Sequence, residues 1–175
     1  GFGKALDEIE TMLTRNKIWM VRTKEVGVIT KEDAVALSIT GPIARAAGVD
    51  YDVRKAFPYL DYDEFDFEVP TGEIGDVYDR YLVRNEEMRQ SMRLLHQVLG
   101  KLEPGPVDVN DGKVVLPPKD RVLTRMEELI HQFMLVTEGP VTPAGEVYFA
   151  IEGAKGELGL YLVSSGLGRA YRLRI

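Results

Sequence analysis

Glu127 and His131 come nearest in the sequence to residues that could do acid–base chemistry. Four positions apart on a helix, they would share one face, and a carboxylate beside an imidazole can pass a proton to a bound substrate. The same spacing also fits a structural hydrogen bond inside a helical bundle. We favour the structural interpretation, because the other histidine, His96, falls on a different predicted helix. No catalytic residue is predicted.

Composition excludes thiol chemistry and metal centres rich in cysteine or histidine. The chain has no cysteine and only two histidines, which removes disulfides, thiolate nucleophiles, iron–sulfur ligation and most structural zinc sites. The sequence therefore predicts no metal site and no complete active site of its own.

The segment GPIARAAGVDYDVRKAFPY, residues 41–59, concentrates residues of fixed geometry where the sequence shows no long apolar period. Its two arginines can bind carboxylates bidentately and connect the segment to neighbouring helices. Asp50 and Asp52 are the near candidates for their partners, and Glu86 is a more distant one. We predict a structural junction formed by Gly41, Pro42, Arg45, Gly48, Asp50, Asp52 and Arg54.

Apolar periodicity and capping signals predict the helices. Thr30 is predicted to cap one helix and Asp76 another, while Gly48 should close a third in the left-handed conformation. The predicted helices are 4–16, 31–38, 43–47, 76–100 and 118–137, and the last two are long. The helix 118–137 is apolar on two sides, so we expect it to be buried on two sides. A small hairpin is predicted around Asn110.

The end of the chain changes to a period of two, which is typical of strands. Alternating residues in GEVYFAIEG, ELGLYLVSSG and RAYRLRI, separated by glycine-rich turns, predict a three-stranded antiparallel meander. The predicted fold is α+β and mainly α: a helical bundle with two long helices, then the meander. The predicted domains are 1–139, with an irregular junction at 40–75, and 140–175.

Charge and hydropathy limit the partners. A net charge of −6 argues against a nucleic-acid partner, because phosphate binding needs a clustered positive surface. No apolar run approaches the ~20 residues that span a bilayer, and the charged start, Gly1 to Glu10, is unlike a signal peptide. We therefore expect any membrane contact to go through a partner.

These segments resemble a known family. GPIARAAGVDYDVRKAFPY resembles the G-P-x-x-R-A-x-G-V-D-x-D-x-R-K segment of the D subunit of bacterial NADH–quinone oxidoreductase, respiratory complex I. DVYDRYLVRNEEMRQSMRLLHQ, MEELIHQFMLVTEG and PAGEVYFAIEGAKGELGLYLVSSG are similar to later parts of the same family. The resemblance runs in order along essentially the whole chain. Gln132 and Met134 depart from it, since the family tends to carry histidine and lysine there, which weakens any catalytic role for His131.

The resemblance implies a function. The family is related to the large subunit of nickel–iron hydrogenases without its metal-binding cysteines, and it helps to enclose the quinone next to the terminal iron–sulfur cluster of the B subunit. The implied partners are the B subunit, the C subunit and the other peripheral-arm subunits. The implied location is the cytoplasmic side of the bacterial inner membrane, as a peripheral protein. The family's quinone-contacting residues match no position here, so the chain is expected to bind no cofactor itself.

Two alternatives remain open. An energy-converting nickel–iron hydrogenase shares the G-P-x-x-R-A-x-G segment, but its metal centre needs two Cys-x-x-Cys pairs near the chain ends. A stand-alone interaction module would form tight soluble oligomers. If the chain is a fragment lacking both ends of a longer protein, we expect it to be inactive alone and to self-associate through uncovered apolar faces.

Overall fold

The computed structural model describes residues 1–109 and 111–175. The helices are α1 (Phe2–Leu13), α2 (Lys17–Thr23), α3 (Lys31–Ala36), α4 (Gly41–Ala46), α5 (Val53–Ala56), α6 (Val77–Lys101), α7 (Lys119–Val122) and α8 (Met126–Thr137), with a 3-10 turn at Tyr62–Glu64. The strands are β1 (Gly145–Gly153), β2 (Gly156–Ser164) and β3 (Ala170–Arg174). The predicted class, a mainly helical α+β fold with a three-stranded antiparallel sheet, is confirmed.

Local capping chemistry sets where the predicted helices begin. The Thr30 hydroxyl accepts the Asp33 N–H at 3.1 Å at the start of α3, and the Asp76 carboxylate accepts the Asp79 N–H at 2.7 Å at the start of α6. Each bond satisfies an amide that has no partner inside its helix. Gly48 follows α4 with φ +80°, the left-handed conformation predicted for it.

Helix α2 has no counterpart among the elements predicted from the sequence. Asn16 begins it, because its side-chain oxygen accepts the N–H groups of Ile18 and Trp19 at 2.9 and 3.3 Å. The missed signal was this asparagine, which is a favoured N-cap residue. The apolar residues of α2 do not follow one helical stripe, and Ile18 and Val21 are both exposed.

The prediction of a second long helix over 118–137 is wrong, because this segment forms two separate helices, α7 and α8. Arg125 takes an extended conformation, φ −129° and ψ 126°. Beside it, the Thr124 hydroxyl donates to the Asp120 carbonyl at 2.8 Å, a local bond that competes with helix continuation. Burial on two sides is wrong as well, since no described residue of α8 is buried and Phe133 is 66% exposed.

The sheet has the order β1-β2-β3, which is the predicted meander. Strands β2 and β3 pair antiparallel, with Leu162 opposite Leu173 and a bulge between Val163 and Ser164. The centre of the hairpin predicted at Asn110 lies outside the described residues. From Asp111 onward the chain makes a turn, in which the Val114 N–H donates to the Asp111 carbonyl at 3.2 Å.

The chain forms two compact units. The first contains residues 1–102 and 150–158, and the second contains 103–149 and 159–175. In the first unit α6 packs against α4 and α2, over a core that includes Leu6, Ala34, Val53, Phe67, Val83 and Leu94. In the second, α7 packs against α8. The predicted division into 1–139 and 140–175 follows element type, and as a statement about domains it stays a prediction.

Candidate functional site

Helix α4 begins with a close approach between two backbone segments of the first unit. Gly41 has φ +72°, and a Cβ placed on it would lie 2.3 Å from Gly156 Cα in the β1–β2 turn. Only glycine fits both the left-handed conformation and the contact. Pro42 follows in the first turn of α4, where its missing N–H leaves no helical bond unmade. These two residues set the position of the buried Arg45.

Arg45 is the centre of a buried ion cluster in the first unit. Its side chain is 2% exposed. Its Nε donates to Glu87 Oε1 at 2.6 Å and its Nη2 donates to Glu152 Oε1 at 2.9 Å. Its Nη1 donates to the Tyr51 carbonyl at 3.0 Å and lies 3.7 Å from Asp52 Oδ2. A buried guanidinium is tolerated only with such partners, and this one joins α4, α6 and the β1–β2 turn.

Asp52 and Arg54 form the second half of the cluster. Arg54 Nε and Nη2 bind the two Asp52 carboxylate oxygens at 3.0 and 2.6 Å, the bidentate geometry that suits a guanidinium. Asp52 Oδ1 also accepts the Arg54 N–H at 2.9 Å, which caps α5. The Arg54 guanidinium lies 4.8 Å from the centre of the Phe67 ring, where cation and ring attract each other.

Charge controls the protonation of Asp52. Burial raises the pKa of its carboxyl, but the hydrogen bonds and positive charge of Arg54, with the charge of Arg45, outweigh burial and hold that pKa below its usual 3.8. Asp52 is therefore ionised at neutral pH, and both of its oxygens accept hydrogen bonds.

Four further bonds fix the ends of β1 and β2, on either side of their turn, to the rest of the first unit. The Glu152 N–H donates to the Tyr59 hydroxyl oxygen at 3.1 Å, and Glu152 Oε2 accepts the Val53 N–H at 3.4 Å. Nearby, the Glu157 N–H donates to Thr40 Oγ1 at 3.0 Å, and the Tyr51 hydroxyl donates to Glu157 Oε2 at 3.1 Å. The turn is thus held on both sides of the Arg45 contact.

The structure brings most of the predicted junction residues together. Gly41, Pro42, Arg45, Asp52 and Arg54 all belong to the cluster or set its position, and Gly48 closes α4. Asp50 is exposed and makes no ion pair among the described residues. Glu86 accepts a bond from Gln90 at 2.8 Å instead of from an arginine.

Sequence reasoning missed two members of the cluster. Glu87 follows Glu86 directly on α6, so the two side chains point in different directions around the helix axis. A helical wheel that marks the apolar stripe of α6 would show which of the two lies nearer the packed face. Glu152 lies at the end of a strand, and no local signal connects it with Arg45. Only the packing of the β1–β2 turn beside α4 reveals that contact.

Glu127 and His131 belong to the second unit, whereas the cluster belongs to the first. Both are on α8, as predicted, but no hydrogen bond joins them among the described residues, and Glu127 is exposed. The His131 ring lies beside Gly112, where an added Cβ would be 3.0 Å from His131 Cε1.

Among the described residues, acidic and histidine side chains are not grouped as metal ligands. In the part of the chain that the structure covers, no group of three or more histidine, cysteine, aspartate or glutamate residues is arranged to hold a metal ion. Within residues 1–109 and 111–175, no helix has the length and apolar character needed to cross a membrane.

An apolar groove lies next to the cluster in the first unit. It has a volume of about 470 Å³, and its walls include Arg54, Tyr62, Phe65, Leu94 and Leu95. Leu95 is 60% exposed. Apolar surface of this kind is typical of contacts between proteins.

A mainly helical α+β fold with exposed apolar faces is typical of a protein that has contact surfaces for other proteins. The particular family follows from comparison with known proteins. The chain belongs to the family described as "Respiratory-chain NADH dehydrogenase, 49 Kd subunit", which matches residues 1–175. The resemblance to this family is confirmed.

Similar proteins carry consistent names. The chain is 58% identical over 175 residues to the NADH-quinone oxidoreductase D 1 subunit of Opitutus terrae, and 55% identical over 170 residues to the D subunit of Methylacidiphilum infernorum. These alignments cover 99% and 97% of the chain but 41% of each relative. The chain is also 50% identical over 178 residues to the C/D 2 subunit of Aquifex aeolicus, covering 99% of the chain and 30% of that relative. These names favour the NADH dehydrogenase interpretation over a hydrogenase.

Proposed function

We propose that this chain is the scaffold part of a quinone-reducing electron-transfer subunit in an NADH–quinone oxidoreductase. In this role it holds the shape of the cavity where the quinone meets the terminal iron–sulfur cluster of a partner. The observation that carries the proposal is the family match over residues 1–175. The chain spans about 41% of the length of its relatives, so the activity belongs to the whole assembly.

The buried cluster supports a scaffold role. Arg45 joins α4, α6 and the β1–β2 turn through charge-assisted bonds of 2.6 and 2.9 Å, which are stronger and more directional than neutral ones. Electron transfer and quinone binding need fixed distances, and a buried network of this kind limits the movement of the elements it joins. On this proposal the segment performs no chemistry alone.

The proposed partners are the other peripheral-arm subunits, above all the B and C subunits. The B subunit would carry the terminal cluster, and this chain would bind no cofactor itself. The name of the Aquifex aeolicus relative joins C and D in one protein, which supports a close association with the C subunit. The proposed location is peripheral, on the cytoplasmic side of the bacterial inner membrane.

The test is to purify the assembly through a tag on the full-length protein that contains this chain. We expect it to reduce a short-chain quinone with NADH. Arg45→Lys should lower quinone reduction while NADH oxidation by ferricyanide, an acceptor that bypasses the quinone, is retained. Arg93→Lys, which alters an exposed ion pair with Asp66, is the matched control. An assembly that contains nickel and oxidises hydrogen, or that lacks NADH–quinone activity, would refute the proposal.

A further inference from the structure

The buried cluster contains more acidic than basic groups. Two guanidinium groups, on Arg45 and Arg54, face three carboxyl groups, on Asp52, Glu87 and Glu152. With every group ionised, the cluster would hold one uncompensated negative charge. A buried charge without a partner is costly, and the usual outcome is that the group takes up a proton.

The hydrogen bonds distinguish the three carboxyl groups. Asp52 accepts three bonds from Arg54, two from the side chain and one from the backbone. Glu152 accepts one bond on each oxygen, from Arg45 Nη2 and the Val53 N–H. Among the described residues Glu87 accepts one bond, from Arg45 Nε on Oε1. Because donors favour the ionised form, Glu87 is the carboxyl least stabilised as an anion.

We propose that Glu87 is a proton-binding site, whose carboxyl group holds the proton that balances the charge of the Arg45 cluster. Its side chain is 18% exposed, whereas those of Asp52 and Glu152 are 2% and 4% exposed. Glu87 is therefore the member of the cluster that can exchange a proton with solvent. The inference goes beyond the proposed function and does not depend on it, because it follows from the charges and bonds of the cluster.

The groups around Glu87 determine the direction of its titration. Burial raises the pKa of the Glu87 carboxyl above its usual 4.5, and Glu152 on β1 raises it further. Arg45 on α4 and Arg54 on α5 act in the opposite direction without reversing the shift. Asp52 is already bound by Arg54, and Glu86 on the same helix bonds to Gln90.

The sign of the effect on stability follows from this direction. A carboxyl whose pKa is raised by folding binds its proton more tightly in the folded state. Its contribution is fully present below the usual value of 4.5 and is lost as pH rises through the raised folded value. Deprotonation of Glu87 therefore weakens the first unit at higher pH.

The experiment uses the assembled complex with the full-length protein that contains this chain. Glu87→Gln keeps the size and the acceptor oxygen of a protonated glutamate, and Glu86→Gln is the matched control on the same helix. The half-life of thermal inactivation is measured between about pH 5 and pH 8. Infrared difference spectra of wild type against each variant detect the C=O stretch of a protonated carboxyl.

We expect the half-life of the wild type to shorten severalfold toward pH 8, and that of Glu87→Gln to shorten less. The wild-type spectrum should contain a protonated-carboxyl band that is missing in Glu87→Gln and present in Glu86→Gln. The proposal is overturned if this band does not change, if the pH dependence survives in Glu87→Gln, or if that variant fails to assemble, because glutamine reproduces the neutral group.

Discussion

Arg45 Nη2 donates a 2.9 Å hydrogen bond to Glu152 Oε1, although the two residues are 107 positions apart in the chain. Arg45 lies in the last turn of α4, and Glu152 lies one residue before the end of β1. The bond therefore fixes the β1–β2 turn against the helices of the first unit. A contact of such sequence separation contributes only after the loop between its ends has been closed, at a cost in chain entropy.

Arg54→Ala should lower the free energy of unfolding by about 3–5 kcal/mol, because it leaves the buried Asp52 carboxylate without its bidentate partner. The urea midpoint of residues 1–175 can be followed by the fluorescence of Trp19, the only tryptophan in the chain, at a protein concentration where light scattering shows single chains. Arg93→Ala removes an exposed pair with Asp66, so it should cost about 0–1 kcal/mol. A change within about ±0.5 kcal/mol for Arg54→Ala would reject the junction role.

Gly41→Ala should destabilise the chain by more than about 2 kcal/mol, since left-handed strain alone costs about 1–2 kcal/mol and the new Cβ would meet Gly156 Cα at 2.3 Å. Gly100→Ala is the control. It lies in α6 with no atom within 4 Å of the added Cβ, so it should stabilise by about 0.5–1 kcal/mol. Equal effects of the two substitutions in urea unfolding would contradict the close approach.

Asp52 should govern acid unfolding. Its pKa is held below 3.8 in the folded state, so its contribution is present above that value and is lost as pH falls through the lower folded value. We expect Asp52→Asn to be less stable than wild type at pH 7 and to lose less stability on acidification to about pH 2. Urea midpoints at several pH values measure this. Parallel curves for the two proteins would show that Asp52 does not titrate as predicted.

Residues 1–175 expressed alone should self-associate. In the second unit, the side chains of Met126, Leu129 and Phe133 on α8 are exposed, and Tyr171 on β3 is 77% exposed. Apolar surface on this scale promotes association. Light scattering should show species larger than one chain, and Leu129→Glu with Phe133→Glu should reduce them. A clean monomer with little binding of an apolar-surface dye would count against the prediction.

Several elements could be predicted from the sequence because their causes are local. The caps at Thr30 and Asp76 act within three residues, and the alternation of β1, β2 and β3 is a property of consecutive residues. The left-handed conformation of Gly48 could also be predicted, because glycine adopts it without strain and Gly48 stands just after the end of a helix. The prediction of one continuous helix over 118–137 was wrong. The apolar period continues on both sides of the break, but the hydrogen bond of the Thr124 side chain and the extended backbone of Arg125 interrupt the helix between them.

By itself the sequence determined the class of fold, the caps, the meander, the absence of cysteine chemistry and the presence of arginines suited to carboxylate partners. Tertiary structure alone decided which carboxylates those are. It selected Glu87 over Glu86 and placed Glu152 beside Arg45, and so it fixed the excess of acidic groups in the cluster. The physical reason is that ion pairing depends on distance in space and on exclusion of water, and neither can be read from spacing along the chain.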